Sequence, residues 1–131
     1  RVVGDDASLY TLPYASKHTI TGTIDWDVMK TRAGTLNLSI DGYYRSHFVS
    51  NARFLPFRRI PGYELANARL SFSGDDWLIH GMKVTVAGWI RNLFDKEYAK
   101  ESFSSFSGVH ASRLTTYGLP RTYGLELKVD Y

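Results

Sequence analysis

The ionisable side chains that could do chemistry sit on the polar sides of alternating stretches: Asp25, Asp27 and Asp41 near Arg45, then Lys83 and Arg91, then Glu126, Lys128 and Asp130. Two carboxylates held at a fixed separation could divide general acid and base work between them. Here carboxylates and cations are interspersed, which reads more simply as a wall of charges that neutralise one another. His18, His47, His80 and His110 are scattered, none at i, i+2 or i, i+4 from another, so metal ligation is unsupported. With no Cys in the chain, a thiolate site or disulfide is impossible. Glycine-rich phosphate loops, dinucleotide fingerprints and nucleophile elbows are missing, so neither an enzyme nor a cofactor is expected. The stretch Asn51-Ala-Arg-Phe-Leu-Pro-Phe-Arg-Arg59 mixes arginines with aromatics. Nucleic acid could use that mixture, and so could a surface loop that helps gather an anionic ligand, but a plain solvated loop is the simpler expectation.

The elements that must position these groups are strands. Thr19 to Met29 sets Ile20, Gly22, Ile24, Trp26 and Val28 against Thr19, Thr21, Thr23, Asp25 and Asp27. A period of two puts successive side chains on opposite faces of a strand. Thr35 to Arg45 repeats the pattern with Leu36, Leu38, Ile40, Gly42 and Tyr44, and the two segments read as a hairpin around residues 30 to 34. Gly62 to Ser73 carries Ala66, Ala68, Leu70 and Phe72, though Glu64 falls on the apolar side. Met82 to Leu93 carries Val84, Val86, Gly88 and Ile90, with Trp89 interrupting the polar side. The last thirteen residues, Leu119 to Tyr131, also alternate: Leu119, Tyr123, Leu125, Leu127, Val129 and Tyr131 fall on one face, broken only by Arg121 near its start, and Thr122, Glu126, Lys128 and Asp130 fall on the other. If residues 94 to 118 close a hairpin, Lys83 opposes Asp130 and Trp89 opposes Gly124, a bulky ring over a residue with no side chain.

Residues 48 to 61 and 94 to 118 lose the alternation and are expected to be long loops, whereas 30 to 34 and 74 to 81 are short. In a meander this places both short turns at one end and both long loops at the other, as in outer-membrane barrels. The strands run to about 11 residues or more, where a soluble strand averages about 5 to 6 and a tilted membrane strand needs about 9 to 11. The expected fold is therefore all-β, an antiparallel up-and-down set of about five transmembrane barrel strands, a partial barrel. Trp26, Tyr43, Tyr44, Phe48, Tyr98, Tyr123 and Tyr131 lie near strand ends, where an aromatic girdle would need them.

Composition sets outer bounds. One domain fits in 131 residues, 15% of them aromatic. The net charge of +3, with signs mixed along the chain, gives no argument for nucleic acid. The longest apolar run, Val86 to Ile90, is far short of the roughly 18 residues of a membrane helix. The opening Arg1-Val-Val-Gly-Asp-Asp6 has neither an initiator Met nor a secretory core, and a piece cut from a longer protein is expected.

Val86-Ala-Gly-Trp-Ile-Arg-Asn-Leu-Phe-Asp-Lys-Glu-Tyr98, followed by Gly118-Leu-Pro-Arg-Thr-Tyr-Gly124 and an alternating run to a terminal aromatic, resembles the C-terminal end of a TonB-dependent outer-membrane receptor. Leu12 to Thr19 and Pro61 to Arg69 match the same family more loosely, so the resemblance spans about residues 12 to 131. It implies the last five strands of a plugged barrel of about 22 strands. It also implies energised uptake of a scarce nutrient, a ferric siderophore first among them, across the outer membrane of a Gram-negative bacterium. The plug and the segment that contacts the TonB complex would lie upstream of this region. Outer-membrane lipid would face the apolar side, and Tyr123, Leu125, Leu127, Val129 and Tyr131 resemble the signal read by the barrel-assembly machinery. Small-molecule contacts would come from the long loops, with Arg53, Arg58, Arg59 and Tyr117 as candidates by placement alone. Two other readings stay open: a small structural or adhesive outer-membrane barrel, and a soluble sandwich or lipocalin-like carrier whose apolar faces turn inward.

Overall fold

The computed structural model describes residues 12–50, 59–107 and 110–131. Among the described residues nine strands follow one another: β1 (Thr19–Thr31), β2 (Gly34–Arg45), β3 (Phe48–Val49), β4 (Arg59–Ile60), β5 (Tyr63–Asp75), β6 (Lys83–Arg91), β7 (Ala99–Ser107), β8 (His110–Tyr117) and β9 (Thr122–Asp130). Five form one sheet in the order β1-β2-β5-β6-β9, while β3 pairs with β4 and β7 with β8. The architecture is all-β, and every register recorded is antiparallel. The main sheet is open, with β1 and β9 each paired on one side only.

The five sheet strands are those expected from alternation. Lys83 pairs with Asp130 and Trp89 with Gly124, as the sequence implies. The indole of Trp89 lies on Gly124 so closely that an added Cβ would sit 2.6 Å from its Cζ2. A side chain at 124 would have no room, which accounts for glycine in an otherwise bulky strand.

Both long connections differ from the expectation of loops. The 48–61 segment opens and closes with the paired strands β3 and β4, Phe48 opposite Ile60 and Val49 opposite Arg59. Within 94–118, β7 and β8 form a hairpin with a register shift between Ala99 and Glu101. Two-residue strands have no period to detect. In the sequence of β7 the two phenylalanines are three positions apart with serines between them, a spacing that does not alternate.

The chain divides into two compact units. The sheet unit comprises Thr21–Tyr43, Glu64–Lys96 and Leu119–Tyr131. Its even face is apolar through β6 and its paired neighbours: Phe72 opposes Val86, and Val86 in turn opposes Leu127. The other face is polar, with Asn37 Nδ2 donating to Asp27 Oδ1 at 3.0 Å, Asn67 Nδ2 to Asp41 Oδ2 at 2.6 Å, and Arg69 pairing with Glu126 at 3.0 Å. The Arg69–Glu126 pair reaches from β5 to β9 across β6, where Ala87 is fully buried. At the short-turn end Trp77 folds back, its ring edge-on to Phe72 at 5.0 Å and its N–H donating to the Val84 carbonyl at 2.8 Å. Val84 is buried there and Leu36, Leu38, Phe72 and Ile90 are half-buried, while other positions of the apolar face are open: Ile24 is 67% exposed, Leu127 65% and Leu125 87%.

The second unit comprises the described part of Arg1–Ile20 with Tyr44–Tyr63 and Glu97–Gly118. Its core holds Phe48, Val49 and Ile60, with Ser46 and Ser102 also buried. The backbone N–H of His18 donates to Ser46 Oγ at 3.0 Å and the N–H of Ser46 to the His18 carbonyl at 2.9 Å, which fastens the segment before β1 to the end of β2. Phe48 is therefore not part of an exposed girdle. It packs against Tyr14, ring centroids 6.0 Å apart, beneath the Arg45 guanidinium at 3.9 Å.

Candidate functional site

Several of the charged positions singled out from the sequence are in ion pairs. Asp27 takes Lys30 at 2.9 Å as well as Asn37, Glu126 takes Arg69, and Asp130 takes Lys128 at 2.9 Å. Arg45 does not join the sheet carboxylates. Its guanidinium donates to the Tyr14 carbonyl and to Ser16 Oγ and stacks on Phe48. Among the described residues no group of three or more His, Asp or Glu is placed to hold a metal ion.

The motif Asn-Leu-Phe-Asp-Lys is a turn built on one side chain. Asn92 and Asp95 both adopt left-handed backbone, φ 52° and 53°, which Asn and Asp tolerate better than other non-glycine residues. The Asn92 side chain is buried. Its Nδ2 donates to the carbonyls of Lys96 at 2.9 Å and Leu119 at 3.2 Å, and its Oδ1 accepts from the Lys96 N–H at 2.8 Å. Its own N–H donates to Asn67 Oδ1, so the turn is joined through Asn67 to Asp41. Asp95 Oδ1 accepts from the Arg121 N–H at 2.8 Å. One amide thus closes the base of the whole stretch between residues 96 and 119.

Within the second unit, a cleft of about 550 Å³ is lined by Arg59, Pro61, Gly62, Glu97, Tyr98, Ala99, Arg113, Thr115 and Tyr117. Arg59 and Tyr117, both expected from the sequence, meet here. Arg53 and Arg58 lie outside the described residues. Sequence reasoning missed Arg113, Glu97 and Thr115, because their convergence depends on the β7–β8 pairing. Arg113 Nε donates to Ser102 Oγ at 2.8 Å, and that buried hydroxyl is 3.4 Å from Thr115 Oγ1. A terminal nitrogen of Arg59 is within hydrogen-bond reach of His47 Nε2. Tyr98 is held in place: its ring is 4.6 Å from that of Tyr63 and lies so close to Gly118 that a Cβ there would overlap it. The Gly118 N–H donates to the Tyr98 carbonyl at 2.8 Å.

This arrangement offers two positioned guanidiniums, hydroxyls and an exposed phenol around an open hollow. It has the parts for binding. Of the terminal-signal positions, Tyr123, Leu125, Leu127 and Val129 lie on the apolar face of β9, and Tyr131 lies one residue beyond the strand, fully exposed. No family model matches the chain, and neither a curated protein nor a solved structure does.

Proposed function

We propose that this chain is the C-terminal wall of the barrel of a TonB-dependent outer-membrane receptor, a protein that takes up a scarce nutrient such as a ferric siderophore. One observation carries the proposal: a sheet of long strands with a polar face, an uncovered apolar face and two unpaired edges. The strands have 13, 12, 13, 9 and 9 residues, against the roughly 9 to 11 of a tilted membrane strand. Among the described residues five apolar side chains are buried while twenty-one large ones are exposed, so the chain's apolar surface is not used against itself. A soluble sheet would bury that face under a second layer. Lipid covers it in this reading, and further strands of the same protein pair with the edges of β1 and β9, because unpaired backbone groups in hydrocarbon cost several kcal/mol each. The polar face then lines the lumen. The cleft around Arg59 and Tyr117 meets the nutrient, and energy arrives from the TonB complex through upstream parts of the receptor.

The test places lysine singly at Ile24, Ile40, Val86 and Leu127 in the full-length protein and follows outer-membrane insertion by fractionation and heat-modifiable gel mobility. Each lysine is expected to impair insertion, by about 2 to 4 kcal/mol near the midplane. The polar-face control Asp25→Lys is expected to insert normally. Normal insertion of all four apolar-face variants would overturn the assignment.

A further inference from the structure

We infer that the cleft beside β4 and the β7–β8 hairpin binds a soluble small molecule through an oxyanion, a carboxylate or phosphate, held by Arg113 and Arg59. The claim that this anion is the cargo rests on the receptor reading; the binding itself does not.

Charge is the first argument. The lining has two guanidiniums and one carboxylate, Glu97. Among the described residues neither arginine is in an ion pair, whereas Arg69 on the sheet is paired with Glu126. An excess of cations over carboxylates in a concave site attracts an anion.

Positioning is the second. Arg113 is anchored through Nε to Ser102 Oγ, and Ser102 is only 2% exposed. An arginine tethered at Nε keeps its two terminal nitrogens, the pair whose geometry matches the two oxygens of a carboxylate or phosphate. Arg59 is tethered at one terminal nitrogen by His47 and retains other donors. Both side chains have therefore given up part of their rotamer freedom before a ligand arrives, which lowers the entropy lost on binding. Thr115 contributes a hydroxyl and Tyr117 an exposed ring to the same lining. The volume, about 550 Å³, is that of a small-molecule site.

The experiment measures binding of citrate and of pyrophosphate to the full-length protein in neutral detergent at low salt, by calorimetry. Triethyl citrate serves as the uncharged counterpart, and a short-chain phosphatidylglycerol supplies a lipid headgroup. The two soluble anions are expected to bind and the triester is not. Arg113→Gln and Arg59→Gln are each expected to weaken binding about tenfold or more. Arg113→Lys, which keeps the charge and loses the fork, should recover part of it. Arg69→Gln, outside the cleft, should bind as the parent does. Equal binding of the triester, unchanged affinity in both glutamine variants, or no binding of either soluble anion at millimolar concentration would overturn the inference. Binding of the phospholipid alone would overturn it too, by assigning the cleft to a headgroup. Heat-modifiable mobility of each variant reports an intact fold. Arginine-dependent binding in a protein that tolerates lysines on its apolar face would retire the receptor reading and leave this one standing; an inserted protein that binds no anion would do the reverse.

Discussion

Removal of the Asn92 side chain is expected to be costly. Its amide makes three hydrogen bonds to backbone groups of Lys96 and Leu119 from a residue only 5% exposed. Each such bond contributes about 1 kcal/mol net, and an alanine held in left-handed backbone costs about 1 kcal/mol more. Asn92→Ala is therefore expected to destabilise the protein by about 4 kcal/mol. Asn92→Gly loses the same bonds without the backbone strain and should cost about 1 kcal/mol less. Equilibrium urea unfolding of the full-length protein in micelles, followed by tryptophan fluorescence, measures both. Hydrogen exchange at the Lys96 amide, which bonds Asn92 Oδ1, should accelerate in both variants. An alanine variant within about 1 kcal/mol of the parent would refute the hydrogen-bond accounting. A glycine variant no more stable than alanine would refute the conformational part.

Two other substitutions test the sheet. Gly124→Ala drives a methyl into the Trp89 indole, 2.6 Å from Cζ2, and is expected to cost about 1 to 3 kcal/mol. The same substitution in a Trp89→Ala background should cost much less; equal costs in the two backgrounds, read from urea unfolding, would remove the ring from that position. Exchanging Arg69 and Glu126 for one another is expected to change stability by less than about 1 kcal/mol, since both side chains are more than a third exposed. A loss well beyond that in the same unfolding assay would mean that the pair does more than bridge over Ala87.

The sheet was legible because its strands present one uniform apolar face. Where Leu36, Leu38 and Ile40 alternate with Asn37 and Ser39, or Leu125 and Leu127 with Glu126, the period follows from the pattern alone. Strand ends were less legible. β9 begins at Thr122 rather than Leu119, because Pro120 has no N–H to give and the Arg121 N–H is taken by Asp95. The β7–β8 hairpin was hidden because apolar and polar residues do not alternate in its sequence, and β3 and β4 because two residues are too few to show a period. The candidate cleft was half visible for the same reason. Arg59 and Tyr117 could be picked by their place in the long connections, but Arg113 enters only once β8 is paired, and its anchor Ser102 looks like any other serine in a serine-rich run.

The contacts of Asn92 reach only main-chain atoms at residues 96 and 119. Every residue type carries a carbonyl and all but proline an N–H, so this clasp asks almost nothing of the sequence it holds. The 97–118 stretch is in effect a cassette. Its length and composition can drift while β6 and β9 keep their register, because one amide beside the sheet fixes where it leaves and where it returns. A lineage that needed a different ligand could rewrite the hairpin without renegotiating the sheet, and an engineer could graft a foreign hairpin between the same two residues.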